Sequence, residues 1–268
     1  MKYGFIGTGC MGGALATACA KAIGPEDILL SNRSPEKAQA LAEKLGAIPA
    51  DNETITRDCD VIFLGVKPQT MAQMLLPLQP ILAGRRTPFV LVSMAAGVTI
   101  EALQDMAGGR YPVVRIMPNT ACAVGAGMTT YTCSAEVTDR QRQAVLDALA
   151  ASGLLEEIEE GLMGAASAVA GCGGAYACLF LEGLADGGVL CGLPRKKAQR
   201  MAAQMLLGMA TQALESDEHT GALKDAVCSP AGSTIAGIRK LESMSFRSAA
   251  MEAVIAAWER EREMQQRK

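Results

Sequence analysis

Short, largely apolar runs alternate with helical periods over the first 160 residues, and then the pattern changes. The runs at 3–7, 28–31, 60–66, 89–93, 111–117 and 128–133 have the length of strands buried on both faces. Between the first of them, 11–22 and 35–45 carry apolar residues at helical spacing. Strands alternating with helices predict a mostly parallel, doubly wound sheet. The rhythm ends near 154–158. From Gly161 no strand pattern remains, and helical stretches follow at about 161–170, 174–191, 195–216, 220–227, 234–241 and 246–264. Pro194 sits where a helix can start and Gly192 where one can stop. The expected fold is α/β: a doubly wound sheet over 1–160, followed by an all-α domain over 161–268.

Composition narrows the function classes. Half of the 268 residues are apolar. Net charge is −3 and no basic block stands out, which argues against nucleic acid or an anionic membrane as partner. The stretch 161–181 carries no charge and is long enough to cross a bilayer. It is dominated by Gly, Ala, Ser and Cys, and Gly171, Gly173 and Gly174 interrupt it, so two buried helices with a break are expected instead. An Ala- and Gly-rich helical half is expected to bury its surface against a second copy, giving a homodimer or larger homo-oligomer. The nine cysteines form no C-x-x-C pair and His219 is the single histidine, so no zinc ligand set is present in the sequence. The cysteines read as reduced thiols, which points to the cytoplasm. The apolar run at the N-terminus stops at glycines too early for a signal peptide. The charged end, 259–268, reads as a solvated terminus.

Gly7-Thr8-Gly9-Cys10-Met11-Gly12 follows the first strand and opens the first helix. This is the G-x-G-x-x-G spacing in the context that a Rossmann-type dinucleotide site needs. The first glycine allows the tight turn, the second lets backbone approach a pyrophosphate, and the third lets helix and strand pack closely. The helix start offers free N–H groups to phosphate. At the end of the second strand, an NAD-binding chain would place an acid on the ribose hydroxyl. Here Ser31-Asn32-Arg33-Ser34 stands instead, and Asn32 and Arg33 would attract a 2′-phosphate, so NADP is the expected cofactor. A surface arginine beside a helix cap is the plainer reading of Arg33. Three more loops follow strands and are placed to line the cleft: Val66-Lys67-Pro68, Ala95-Ala96-Gly97 and Met117-Pro118-Asn119-Thr120. Each reads equally as ordinary turn chemistry. Cys10 and Cys172 lie at glycine-rich turns, as redox-sensitive thiols or as small residues filling them.

The helical half holds Ser229-Pro230-Ala231-Gly232-Ser233-Thr234, a small-residue loop leading into a helix that Ser233 or Thr234 is suited to cap. Backbone N–H groups clustered at a helix start also make an anion pocket suited to a small carboxylate. A simple cap and an anion pocket both remain open on these residues alone.

Over its whole length the chain resembles the pyrroline-5-carboxylate reductase family. The resemblance is carried by the glycine loop, Val66-Lys67-Pro68, Ser93-Met94-Ala95-Ala96-Gly97, Arg115-Ile116-Met117-Pro118-Asn119-Thr120, Ala185-Asp186-Gly187-Gly188, Gly192-Leu193-Pro194-Arg195 and 223–242. It implies NADPH-dependent reduction of L-1-pyrroline-5-carboxylate to L-proline, the last step of proline biosynthesis, in homo-oligomers joined through the C-terminal helices. It also implies site residues. Ser229, Gly232, Ser233 and Thr234 would hold the substrate carboxylate, with the Thr234 hydroxyl near the ring nitrogen as the catalytic contact, and Glu160 would lie near the substrate. Asn52 would lie near the adenosine and Ala96 near the nicotinamide. The sequence departs from the family pattern at Gly171-Cys172-Gly173-Gly174-Ala175-Tyr176, where a serine and a proline are missing, at Ala231 and Ser233, and at Thr220. Those departures keep in view a related NADP-dependent imine or hydroxyacid reductase; a non-catalytic NADP-binding protein that has kept the fold is a second rival.

Overall fold

The aliphatic runs assemble into one sheet. The computed structural model describes residues 1–266; Arg267 and Lys268, the last of the charged end, lie outside the described residues. The strands are β1 (Tyr3–Ile6), β2 (Ile28–Ser31), β3 (Ile48–Pro49), β4 (Val61–Leu64), β5 (Val90–Ser93), β6 (Val113–Met117), β7 (Gly127–Cys133) and β8 (Gly153–Glu157). Their order is β3-β2-β1-β4-β5-β6-β7-β8. The pairing is parallel except between β6 and β7. The helices among them are α1 (Cys10–Ile23), α2 (Pro35–Leu45), α3 (Asn52–Asp58), α4 (Pro68–Leu75), α5 (Gln79–Gly84), α6 (Ile100–Ala107) and α7 (Asp139–Leu149).

Strands β1, β2, β4 and β5 are buried at every position, so both faces must be covered. On one face Phe5, Leu30, Phe63 and Val92 pack with Leu15 of α1 and Val145 of α7. On the other, Ile6, Leu64 and Leu91 pack with Met71 and Leu75 of α4 and Leu103 of α6. The Phe5 and Phe63 rings stack with centroids 4.3 Å apart. Each such side chain contributes about 1.5–3 kcal/mol by leaving water. Residues 7, 60, 65–66 and 111–112, read as strand ends, are loop instead. Strand β8 forms where the apolar rhythm stops. It is an edge strand, with Glu156 and Glu157 exposed, and an edge needs no continuous apolar run.

The chain divides into two compact units, 1–172 with 257 onward, and 173–256. The sequence pattern places the division at 160/161, whereas residues 161–172 belong with the sheet. They comprise α8 (Met163–Ala166) and a π-turn at Ser167–Gly171, which stands where a break in the helix was expected. The other helices are α9 (Gly173–Leu190), α10 (Arg195–Glu215), α11 (Thr220–Ala226), α12 (Ser233–Ser243) and α13 (Phe246–Gln266).

Two expectations are corrected here. Helix α9 is not buried within one chain: Ala185 is its only buried residue, and Leu179, Leu184 and Leu190 are exposed. Apolar composition gave the helix but could not say what covers it. The charged end is not wholly solvated either. Glu261 is 8% exposed, accepts a hydrogen bond from Ser167, and keeps Oε2 buried without a partner. Trp258 lies beside Gly164, with the Arg262 guanidinium 4.9 Å from its ring centroid.

Within the second unit, Tyr176 donates to the carbonyl of Ala253 at 3.1 Å, and Phe180 meets Phe246 at 5.5 Å between centroids. These contacts tie α9 to α13. Gly188 lets α9 and α10 approach, since a Cβ there would stand 3.1 Å from that of Ala198.

Candidate active site

Strand β1 stops at Ile6 and α1 starts at Cys10, so Gly7, Thr8 and Gly9 make the whole turn. Gly7 has φ +97°, a left-handed value that favours glycine. A Cβ on Gly12 would stand 2.1 Å from the Gly7 carbonyl oxygen, so the strand–helix contact requires glycine there too. A Cβ on Gly9 would meet nothing within 4 Å. That space lies in front of a helix start with no side-chain cap. Beside it the Thr8 hydroxyl is buried without a partner. Free N–H groups, an orphaned hydroxyl and open space fit a pyrophosphate.

Of the residues expected to bind cofactor, Gly7, Gly9, Asn32, Arg33, Asn52, Val66 and Lys67 line one cleft of about 500 Å³. Arg33 and Lys67 make no ion pair among the described residues, so two cationic side chains in this cleft stay available for phosphate. Asn32 and Asn52 also border a second cavity of about 710 Å³. Asn52 opens α3, whose N-cap Asp51 accepts from the Thr54 amide at 2.7 Å. That bond holds the Asp51 carboxyl below its ordinary value.

Other expected residues stand elsewhere. Cys10, Met11 and Gly12 form the first turn of α1, where their contribution is backbone. Pro68 opens α4. Ala95 turns its side chain into the core, while Ala96 is exposed on the loop after β5. Asn119 is engaged at both ends of its amide, donating to Ala170 at 3.1 Å and accepting from the Met128 amide at 3.3 Å. Sequence reasoning passed over Thr8, whose buried hydroxyl has no partner, and the α4 residues Thr70, Gln73 and Met74, which line the cleft. The last three follow Pro68 at helical spacing, a signal that could have placed them on one face.

In the second unit the loop 229–234 has the form of an anion site. Gly232, not Ser233 or Thr234, is the N-cap of α12, and no side chain caps the helix. The expectation of a hydroxyl cap is therefore corrected: both residues belong to the first turn, and both are exposed. The Gly232 amide donates to the Ser229 carbonyl at 3.0 Å. A Cβ on Gly232 would fall 2.4 Å from the Ser229 hydroxyl oxygen, so glycine is needed for that hydroxyl to lie over the turn. An uncapped helix start flanked by Ser229, Ser233 and Thr234 offers N–H and O–H donors to a carboxylate. His219 caps α11, its Nδ1 accepting from the Gly221 amide at 3.0 Å.

Glu160 lies in the first unit. Its Oε1 accepts from Arg115 at 3.0 Å and from the Ile100 amide at 2.7 Å. Arg115, the first residue of the Arg115–Thr120 motif, is 3% exposed on β6. Among the described residues no group of three or more His, Cys, Asp or Glu is placed to hold a metal ion.

A parallel sheet with a glycine turn, an uncapped helix start and unpaired cations defines an oxidoreductase of the NADP-binding class. The model for "NADP oxidoreductase coenzyme F420-dependent" matches residues 2–97, and the one for "Pyrroline-5-carboxylate reductase dimerisation" matches 160–264. Pyrroline-5-carboxylate reductase of Escherichia coli (strain K12) is 38% identical over 97% of this chain and 96% of its own. The pyrroline-5-carboxylate reductase structure from Coxiella burnetii superposes with a TM-score of 0.90 at 31% identity, covering 98% of this chain and 97% of that one. The Plasmodium falciparum pyrroline carboxylate reductase with NADP bound gives 0.87 at 34% identity, over 99% and 98%. The chain belongs to the pyrroline-5-carboxylate reductase family. It is an NADP-dependent enzyme of that family, and its dimerisation domain marks it as a homo-oligomer.

Proposed function

We propose that the chain reduces L-1-pyrroline-5-carboxylate to L-proline with NADPH, by hydride transfer to the carbon of the protonated ring imine. The observation that carries this is the uncapped start of α12, where Thr234 stands exposed beside Ser229 and Ser233. A small cyclic acid has one anionic group to anchor, and this turn offers one set of donors. The cofactor, when bound, supplies the hydride from its nicotinamide.

The chain's own residues supply position. Ser229, Gly232, Ser233 and Thr234 bind the carboxylate. The Thr234 hydroxyl hydrogen-bonds the ring nitrogen, and Glu160 faces the substrate. An iminium already carries its proton, so hydride addition yields the amine with no strong acid from the protein; placing the reactants accounts for most of the rate. Gly7, Thr8, Gly9 and the α1 amides of Cys10, Met11 and Gly12 take the pyrophosphate. Asn32 and Arg33 take the 2′-phosphate, and Asn52 the adenosine side. Val66, Lys67, Pro68, Ala95, Ala96 and Asn119 border the remainder of the cofactor. In this reading 1–160 binds the dinucleotide, and 161–268 binds substrate and joins copies into a dimer or larger assembly. The partners are a small-molecule substrate and further copies, not nucleic acid or membrane. Nine free cysteines support a reducing, cytoplasmic setting.

The test is NADPH oxidation with pyrroline-5-carboxylate, run beside a panel of other cyclic imines and 3-hydroxyacids and repeated with NADH. Turnover of pyrroline-5-carboxylate, with higher kcat/KM for NADPH than NADH, is expected. Thr234→Ala is expected to lower kcat or raise the substrate KM by about tenfold or more while NADPH binding holds. Turnover of hydroxyacids alone, or NADPH binding without consumption, rejects the reading.

A further inference from the structure

We infer that Arg115 and Glu160 form a latch that positions the loop between β5 and α6, and that Glu160 is therefore a positioning residue in addition to the substrate contact proposed above. The inference rests on that reading in one respect, the placing of Ala96 next to the nicotinamide.

The geometry is a closed circuit within the first unit. Arg115 on β6 lies in register with Ser93, the last residue of β5. Residues 94–99 then leave the sheet. Their first turn is held by the Ser93 hydroxyl, which accepts from the Ala95 amide at 3.4 Å, and by the Val98 amide donating to the Ala95 carbonyl at 3.3 Å. The loop ends at Thr99, the N-cap of α6, whose hydroxyl accepts from the Ala102 amide. The next amide, of Ile100, is one of the donors a helix start leaves without an intrahelical partner. It donates to Glu160 Oε1 at 2.7 Å, and that same oxygen accepts from Arg115 at 3.0 Å. Loop, helix start, carboxylate and guanidinium thus close back onto the strand adjacent to β5.

The circuit is stiff where it starts. Arg115 is 3% exposed between Val114 and Ile116, both buried, so its charge requires a partner, and Glu160 is the carboxylate it meets. Glu160 is 35% exposed and both of its bonds fall on Oε1. Its Oε2 has no protein partner among the described residues and stays available to a ligand. One oxygen fixes the loop, and the residue also lines a cavity of about 400 Å³ that Thr99 and Arg115 border. Moving the carboxylate would therefore move the loop that carries Ala96. Displacement of a reacting group by about 1 Å costs up to about 100-fold in rate.

Ile100→Pro tests this without touching either charge. Proline at the first position of a helix removes an N–H that makes no intrahelical bond. Thr99 already has φ −76° and ψ 163°, which the residue before a proline accepts. Ile100→Ala controls for the lost side chain. Exchange of the amides at 94–102 is measured by deuterium uptake, and kcat and both KM values are measured with NADPH and pyrroline-5-carboxylate. The latch requires faster exchange in Ile100→Pro than in Ile100→Ala. It also requires a kcat at least about tenfold lower, with NADPH KM changed by less than about threefold. Adding Glu160→Ala to Ile100→Pro must leave exchange no faster than Glu160→Ala alone. Equal exchange in Ile100→Pro and Ile100→Ala overturns the latch. Faster exchange with unchanged kcat overturns its role in turnover. A wild-type enzyme inactive on pyrroline-5-carboxylate sinks the proposed substrate instead, and the exchange data then still decide the latch.

Discussion

The Ser31 hydroxyl donates to Asn52 Oδ1 at 2.6 Å, joining the end of β2 to the first residue of α3. Ser31 is buried, and both residues border the larger cavity beside the glycine turn. With Oδ1 engaged, Nδ2 is the end of the Asn52 amide left to donate to a ligand. Ser31→Ala frees that amide to rotate. One neutral hydrogen bond is worth about 0.5–1.5 kcal/mol, so NADPH KM should rise about threefold to tenfold. The kcat should hold, because nothing at the reacting atoms changes. Steady-state kinetics against NADPH check this, and a fall in kcat at constant KM contradicts it.

Ala231 has φ +57°, a left-handed conformation in the loop that leads to α12. A side chain there costs about 1–2 kcal/mol, part of which glycine returns through the greater freedom of its unfolded chain. Ala231→Gly should therefore stabilise the protein by about 0.5–1 kcal/mol and raise Tm by about 1–3 °C. Thermal unfolding with and without the substitution decides it. A lower Tm would mean that the loop's strain is relieved in a way the backbone angle does not express.

Asp51 carries the pH dependence most easily measured. Its carboxyl lies below the ordinary 3.8 because the Thr54 amide donates to it, with the Arg57 charge adding less. A lowered folded value means that the cap stabilises fully above the unfolded value and is lost as pH falls through the folded one. Asp51 is exposed, so the cap is worth only about 0.5–1 kcal/mol. Asp51→Ala should lower stability by that amount near pH 7. The gap from wild type should narrow as pH falls below 3.8 and on through the lowered folded value. Urea denaturation at a series of pH values measures it; a gap independent of pH removes the carboxylate from the explanation.

The cysteines should sort by burial. Burial pushes Cys19 and Cys59 up to about 12 and Cys133 up to about 11, so these remain thiols. Cys10 is exposed at the start of α1. Iodoacetamide at about pH 8 should alkylate Cys10 and leave the other three intact in the folded protein, since the thiolate is the reacting form. NADPH should protect Cys10. Peptide mass spectrometry reads both outcomes, and protection of Cys10 by substrate alone would place the cofactor elsewhere.

What the chain discloses by itself follows from how local each signal is. Gly7, Gly9, Asn32, Arg33 and Lys67, which the structure brings to one cleft, and Gly12 in the first turn of α1 could be picked out because turns and helix starts are written in neighbouring residues. Arg115 could not, since its meaning comes from a carboxylate 45 residues away. Edge strand β8 escaped because exposure removes the apolar run that marks its neighbours. The cap of α12 was misassigned by a residue or two: Ser233 and Thr234 have hydroxyls that could cap, but the chain turns one residue earlier, at Gly232. For 161–181, apolarity was plain but its covering surface was not, because one copy's sequence does not state which face another will fill.

Burying the exposed apolar groups of α9 and α10 against a sister molecule would tie enzyme integrity to how many molecules share the solution. Leu179, Leu190, Met201, Leu207 and Leu214 remain in contact with water in one chain. Mass action then governs the folded population, so melting should come earlier on dilution, and specific activity should fade in very weak solutions while recovering on concentration.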